Sequence, residues 1–305
     1  MFSGKKFALL KIVISLASIW VLISFVNPSQ VLPLLLNMNV FFVPLILIFI
    51  FLNIVLYVIN YWVLLGKKLD FLSNLSDYLA MWSLGLFLPG KIGELGIIPL
   101  LKKKYRVPYK FAIAAAVVPK AAMLFVFFLF FGLLSFFSAT GSSYEGPLAA
   151  LFIACVALFF LRHSFSKIFK VIASKNRVAL DLYNSRAELK SFFGPKNLIF
   201  AGFVAVLRFF CVAIAFYFAF LAFGFQPPLW GLLLAISLSQ ITAFVPVTIN
   251  GLGVREATFT GIMVSFGAPL EIALVAAALS MIISYLFGIA VIVVWNIKNL
   301  RLKKK

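Results

Sequence analysis

Long apolar runs alternate with short polar segments along nearly the whole chain. Runs able to cross a bilayer, which takes about 20 apolar residues, occur at roughly 7–26, 40–65, 111–137, 147–161, 198–223 and 272–295. This pattern predicts an all-α polytopic membrane protein with six full transmembrane helices. The first run follows a Lys pair, and no small-residue cleavage site comes after Val26, so we interpret it as a retained span rather than a signal peptide.

Two further apolar stretches are interrupted by residues that a membrane helix usually avoids. They are "FLPGKIGELG" at 87–96 and "FVPVTINGLGVRE" at 244–256. At an offset of 157 residues the two stretches resemble each other, and the matched pairs are Phe87 with Phe244, Pro89 with Pro246, Ile92 with Ile249, Leu95 with Leu252 and Gly96 with Gly253. After a slip of four residues, Pro108 lies over Pro269. Chance similarity between two apolar stretches is the alternative interpretation.

Composition restricts the function classes. The 305 residues are 64% hydrophobic and 11% charged, whereas a soluble domain carries about 25% charged residues. No room is left for a separate soluble catalytic domain, so we expect no enzyme activity and no cofactor. The cysteines, Cys155 and Cys211, lie in apolar runs, and the single His163 lies at a membrane edge. A metal site is therefore not expected.

The net charge of +19 would suit a nucleic acid, but its distribution favours a membrane. Apart from five residues, the 27 Lys and Arg fall at Lys5 and Lys6, at Lys67 and Lys68, in 102–110, in 162–197 and in the tail from Lys298. The segments 27–39, 138–146, 224–229 and 266–271 contain none. This is the positive-inside pattern, in which the basic excess faces the cytoplasm and anionic headgroups.

All basic clusters stay on one side only if the two interrupted stretches enter the membrane and return. The predicted topology therefore has re-entrant hairpins at 78–101 and 230–265, with both termini cytoplasmic. It divides the chain into an inverted repeat: residues 1–137 hold spans one to three, and residues 138–305 hold spans four to six. The basic loop at 162–197 is predicted to be an amphipathic helix on the inner leaflet, with a partner-docking loop as the alternative.

Irregular backbone survives in hydrocarbon only where it is buried in protein or lines a wet cavity. Interrupted segments at matching places in two inverted halves indicate a transporter's binding site. Proline ends a half-helix, and glycine lets the chain reverse and approach a ligand closely. The predicted structural residues of the hairpins are Pro89, Gly90, Gly93, Gly96, Pro246, Gly251 and Gly253.

A few charged residues lie inside the predicted bilayer. The bases outside the cytoplasmic clusters are Lys11, Lys91, Lys120, Arg208 and Arg255, of which Lys11 can snorkel to the surface; the acids expected to be buried are Glu94 and Glu256. Such residues are costly and usually paired or functional. The acids could simply neutralise bases to stabilise the fold. We favour an anion site, because four bases exceed two acids and lipid phosphate would balance the surplus.

The candidate substrate-binding set is therefore Lys91, Glu94, Lys120, Arg208, Asn250, Arg255 and Glu256. Lys120 follows Pro119, so a kink could direct it toward the cavity. Arg208 has no acid near it in sequence, which favours a ligand contact. Asn60, Gln240, Thr242 and Asn250 could complete a polar lining, although hydrogen bonding between helices explains these four equally well.

At both hairpins the sequence resembles a known family. "LPGKIGELG", "LLKKKYRVPYKFAIAAAVVPK", "VPVTINGLGVREATF" and "GAPLEIALVAAALSMI" are similar to the transmembrane, flippase-like family of lysylphosphatidylglycerol synthetases. The family's Pro-Gly-Arg-x-Gly-Glu motif falls on residues 89–94, with Lys91 in place of Arg, and its Gly-x-Gly-x-Arg-Glu motif falls on residues 251–256. The third span departs from the family, because Pro119-Lys120 stands where an acid-Arg pair is common.

The resemblance implies a polytopic inner-membrane protein of bacteria or archaea. In fused relatives this domain translocates an aminoacylated phospholipid, and other relatives are attached to glycosyltransferase domains that act on lipid-linked sugars. We therefore expect a flippase whose partner is an anionic phospholipid or a polyprenyl-phosphate-linked lipid. We expect no nucleic-acid partner, and the chain could form a homo-oligomer. The alternatives are an accessory or transferase of lipid-linked sugar metabolism and a transporter of small anions.

Overall fold

A computed structural model describes residues 28–67, 69–88, 92–138, 194–243 and 253–303, and within these ranges all regular structure is helical. In chain order the helices are α1 (Pro28–Leu36), α2 (Phe42–Leu64), α3 (Phe71–Phe87), α4 (Ile92–Leu95), α5 (Ile97–Tyr105), α6 (Tyr109–Ser138), α7 (Pro195–Leu221), α8 (Leu229–Ala243), α9 (Val254–Ser265) and α10 (Leu270–Lys303). The predicted all-α class is confirmed for this part of the chain.

Four of these helices are long and apolar enough to cross a membrane. The spanning segments are Phe42–Leu64, Tyr109–Ser135, Pro195–Leu221 and Leu270–Ile297, and they coincide with the predicted spans at 40–65, 111–137, 198–223 and 272–295. The predicted spans at 7–26 and 147–161, and the predicted basic loop from 162 to 193, lie outside the described residues; its last residues, 195–197, belong to α7. Large apolar side chains on the helix surfaces, such as Ile199 at 72% exposed and Val294 at 66% exposed, suit contact with lipid tails.

The helix boundaries repeat at the offset found in the sequence. Adding 157 to the bounds of α2 gives 199–221, which lies within α7 and ends with it; the same offset places α3 over 228–244, where α8 runs. Helices α6 and α10 each begin one residue after a matched proline, Pro108 or Pro269, whose carbonyl accepts the amide of Ala112 or Ala273 at 3.0 Å. The series α2, α3, α5, α6 thus has a counterpart in α7, α8, α9, α10.

The two matched spans also end alike. After α2, Gly66 adopts a left-handed φ of 73° and its amide bonds to the Val63 carbonyl at 2.9 Å; after α7, Gly224 adopts the same φ and bonds to the Leu221 carbonyl at 3.0 Å. A side chain is strained in this conformation, so glycine is the natural residue for stopping a helix there. The sequence therefore places a glycine that ends the helix after both α2 and α7.

The chain divides into two compact units. Unit 1 comprises Met1–Asn53, Leu79–Glu94 and Phe210–Lys305, and unit 2 comprises Ile54–Tyr78 and Leu95–Phe209. The core of unit 1 includes Phe216 and Phe220, which both pack against Phe259 of α9. The core of unit 2 includes the buried rings of Tyr57, Tyr61 and Tyr78, of which Tyr57 and Tyr78 stack with centroids 4.5 Å apart. The predicted division into repeats at 137/138 stays a prediction.

Candidate functional site

Helices α8 and α9 form an antiparallel hairpin in unit 1. The start of α8 meets the end of α9, where Gly231 lies so close to Phe266 that a Cβ would come within 2.5 Å of the ring. The end of α8 meets the start of α9, where the Thr242 and Thr258 hydroxyl oxygens are 3.4 Å apart. At 1.5 Å per residue the two helices are about 22 and 18 Å long. Neither reaches the roughly 30 Å of the hydrocarbon core.

Arg255 and Glu256 lie in the first turn of α9 and bond to each other. Nε and Nη2 of Arg255 donate to Glu256 Oε1 at 2.9 and 2.6 Å, and the other carboxylate oxygen, Oε2, accepts the Gly253 amide at 2.8 Å. The carboxylate therefore holds the arginine and caps the helix together, as the third helical residue does in a capping box. Gly253 has a φ of 84°, so the chain enters α9 through a conformation that favours glycine.

The electrostatics of this turn are asymmetric. A negative charge is favourable at a helix N-terminus and a positive charge is not, so Glu256 stabilises the turn and also the arginine beside it. The side chains of Arg255 and Glu256 are 21% and 12% exposed. A guanidinium has five N–H donors, and two of those on Arg255 bond to Glu256. The remaining donors give this turn the capacity to bind an acceptor such as a phosphate oxygen.

The first predicted hairpin also folds back on itself. In unit 1, Gly93 of α4 lies against the end of α3, where a Cβ would overlap the backbone of Leu84 and Gly85. Glu94 is 8% exposed, and a Cβ on Gly85 would come within 2.8 Å of its Cγ. Glycine at both places therefore lets the returning chain contact α3 directly. The role of Gly93 in a re-entrant hairpin stays a prediction.

In unit 2, a polar network joins the start of α3 to the end of α5. Asp77 Oδ2 accepts from Lys104 Nζ at 2.7 Å and from the Tyr105 hydroxyl at 2.8 Å. Lys104 Nζ also donates to the Ser73 hydroxyl at 3.0 Å, and the Ser73 and Tyr105 hydroxyl oxygens are 3.0 Å apart. Asp77 is only 4% exposed. The expectation that Glu94 and Glu256 are the buried acids was therefore incomplete.

The sequence analysis missed this network because its partners lie far apart along the chain. Burial alone lowers the pKa of Lys104, but the hydrogen bond and charge of Asp77 outweigh it, so the pKa is raised. The pKa of Tyr105 is also raised, first by burial and then by its bond to Asp77. An acid at position 77 within the apolar stretch "LSDYLAMW" was a signal that could have prompted a search for a basic partner.

Arg208 and Lys120 lie in unit 2. The guanidinium carbon of Arg208, on α7, is 4.9 Å from the centroid of the Tyr57 ring, a cation–π contact that stabilises a charge among apolar side chains. The Tyr57 hydroxyl donates to the Ala116 carbonyl of α6 at 2.9 Å. Ala116 lies one turn before Pro119, which has no N–H and therefore weakens the backbone hydrogen bonding of the helix there. Lys120 is half-buried, and α6 continues through Pro119.

The structure thus describes some residues of the predicted substrate-binding set and not others. Unit 1 holds Glu94, Arg255 and Glu256, and unit 2 holds Lys120 and Arg208. Other predicted site and hairpin residues lie outside the described residues: Lys91, Asn250, Pro89, Gly90, Pro246 and Gly251. Convergence of the four bases on one site stays a prediction. Gly96 follows α4 directly and precedes α5.

No curated protein and no solved structure gives a significant match to the chain. A family model does: the lysylphosphatidylglycerol synthase TM region matches residues 8–292. The match includes both interrupted stretches, the Arg255–Glu256 turn, the first three of the described spanning helices and most of the fourth. The chain therefore belongs to the lysylphosphatidylglycerol synthase transmembrane-region family.

Proposed function

We propose that this protein moves an anionic phospholipid or a lipid-linked precursor across the cytoplasmic membrane. The observation that carries the proposal is the α8–α9 hairpin, whose two helices are each too short to span and which holds Arg255 in the first turn of α9. Membership of a family named for the membrane region of a lipid-modifying enzyme supports a lipid substrate.

The proposed phosphate contact follows from the chemistry of that turn. A guanidinium is always charged and presents a planar fork that fits a phosphate. The first backbone N–H groups of a helix have no partner within the helix, and they add a favourable field for an anion. Glu256 lowers the cost of holding Arg255 among apolar side chains while leaving three guanidinium N–H donors for a ligand. In the full proposal Lys91, Lys120, Arg208 and Asn250 also contact the headgroup, and Glu94 balances charge.

Alternating access would come from the two repeats. In transporters built from inverted halves, the binding site lies near the midplane between broken helices, and one half rocks against the other. The repeated helix order described above supports such halves, and the two interrupted stretches would supply the broken segments. Re-entry of each hairpin from opposite faces, with cytoplasmic termini, belongs to the proposal.

The test is transport in reconstituted vesicles. Purified protein is placed in liposomes that contain a fluorescent anionic phospholipid, and loss of fluorescence after adding a membrane-impermeant quencher reports movement between leaflets. We expect Arg255→Gln to abolish movement and Arg255→Lys to retain part of it, because an ammonium keeps the charge but loses the planar fork. Lys196→Gln, at the exposed start of α7, is the matched control and should move lipid as the wild type does.

The same vesicles separate the alternatives. Wild-type vesicles that take up chloride or inorganic phosphate without moving any lipid would replace the proposal with a small-anion transporter. Lipid movement that is equal in wild type and Arg255→Gln would keep a flippase but remove the α8–α9 turn from its mechanism.

A further inference from the structure

Three polar atoms near the first hairpin are buried without a protein partner among the described residues. They are the Tyr61 hydroxyl on α2 and both the Oδ1 and Nδ2 atoms of Asn74 on α3. Tyr61 is 1% exposed and Asn74 is 0% exposed. A buried polar group left unsatisfied is destabilising, so a cluster of three such atoms calls for a ligand.

These atoms lie in one neighbourhood of unit 2. The Tyr61 hydroxyl lies beside the Asn74 side chain and near Asp77 and Tyr105, but no hydrogen bond of good geometry joins it to Asn74. The ring of Tyr61 is held between Tyr57 and Tyr78, each with its centroid 5.8 Å away. The hydroxyl is therefore held beside Asn74, and both side chains keep polar atoms that no hydrogen bond of good geometry satisfies.

The chemistry of these three atoms selects the partner that can satisfy them. The Asn74 amide offers donors and an acceptor, and the Tyr61 hydroxyl can act as either. A metal cation would bind the oxygens but repel the Nδ2 donors, and an anion would be repelled by Oδ1. A water molecule satisfies both kinds of atom, and waters that bridge buried polar groups typically make about three hydrogen bonds.

We infer that Tyr61 and Asn74 hold an internal water, which continues the Asp77–Lys104–Tyr105 network inward. The network begins at the surface, because the Lys104 side chain is 46% exposed, and it ends at Tyr61 on α2. Unit 2 thus contains a hydrated polar path at the base of the first hairpin. The inference stands apart from lipid transport and can be tested without it.

Two tyrosines one turn apart on α2 provide the matched comparison. Tyr57 donates to the Ala116 carbonyl. Tyr57→Phe therefore removes one hydrogen bond with a known partner, and the resulting fall in the thermal unfolding midpoint is the reference for Tyr61→Phe. If water holds the Tyr61 hydroxyl, Tyr61→Phe lowers the thermal unfolding midpoint in detergent by a similar amount. Asn74→Leu lowers it too, and the double mutant loses less than the two single losses together, because both residues bind the same water.

Hydroxyl-radical footprinting identifies the occupant. X-ray radiolysis of bound water labels adjacent side chains, so Tyr61 should be modified despite its burial while Tyr57 is protected. An unchanged or raised midpoint for both Tyr61→Phe and Asn74→Leu would overturn the inference, since removing an unsatisfied group is neutral or stabilising. So would a lowered midpoint with no labelling of Tyr61, which indicates a protein partner. A wild-type midpoint that falls when choline replaces Na⁺, but not in Tyr61→Phe, would indicate a cation instead.

Discussion

Arg255 and Glu256 are neighbours in sequence and are joined by two hydrogen bonds to one carboxylate oxygen, Oε1, at 2.9 and 2.6 Å. The second oxygen of Glu256 caps the same helix through the Gly253 amide. One side chain thus performs two structural tasks in the first turn of α9. Fold stabilisation and anion binding predict different behaviour for variants of this pair.

The first prediction concerns the Arg255–Glu256 pair. Glu256→Gln leaves a half-buried cation without its counter-charge, and removing one partner of such a pair costs more than removing both. We expect it to destabilise the protein by about 1–3 kcal/mol. The double change Arg255→Gln with Glu256→Gln should recover part of that loss, as measured by thermal unfolding, without restoring lipid movement. Full transport by the double mutant would show that the pair serves the fold alone.

The second prediction concerns the close approach at the first hairpin. Gly93→Ala places a methyl group against the backbone of Leu84 and Gly85, which cannot move aside as a flexible side chain would. Overpacking of this kind costs about 1–3 kcal/mol or more, so yield and unfolding midpoint should fall.

Gly202 provides the control for that substitution. It lies within α7, and no atom would lie within 4 Å of a Cβ there. Gly202→Ala should therefore raise stability by about 0.5–1 kcal/mol through helix propensity. Equal behaviour of the two variants in size-exclusion chromatography and thermal unfolding would contradict the tight hairpin.

The third prediction concerns pH. The pKa of Lys104 is raised above its usual value of 10.5 because Asp77 outweighs the effect of burial. A group whose folded pKa is raised contributes stability that is fully present below its unfolded pKa and is lost as pH rises through the folded pKa. Wild type should therefore exceed Asp77→Asn in unfolding midpoint by a constant margin from pH 6 to about 9, and the margin should shrink above 10.5. Lys103→Met, at an exposed neighbour, is the control and should leave the margin unchanged.

The fourth prediction concerns topology. Gln226, Ser265 and Lys103 are exposed in the structure, so a cysteine at each can react with a thiol reagent. In a background that lacks Cys155 and Cys211, an impermeant maleimide added to intact cells should label Gln226→Cys and Ser265→Cys but not Lys103→Cys. Permeabilised cells should label all three. Labelling of position 103 in intact cells would contradict the re-entrant topology and the inverted repeat.

The sequence by itself located most of the described architecture. The spans at 40–65, 111–137, 198–223 and 272–295 were predicted from the length of uninterrupted apolar sequence, which is a local property. A helix is the structure for such a segment because its backbone N–H and C=O groups bond to each other and need no water. The breaks came from proline and glycine, whose effects on φ and on hydrogen bonding act within one turn. The family was likewise visible, because its motifs around Lys91 and Arg255 are short and contiguous.

Tertiary structure decided which polar groups meet. Asp77 and Lys104 lie 27 residues apart, and Arg208 lies over Tyr57 from a helix far along the chain. Such pairings depend on how helices pack, and apolar composition leaves that choice open because almost every face of these helices is hydrophobic. The sequence showed that charges lie among apolar residues and must be stabilised. Folding determined that Arg255 is held by Glu256, that Arg208 is held in part by an aromatic ring, and that Asp77 is buried.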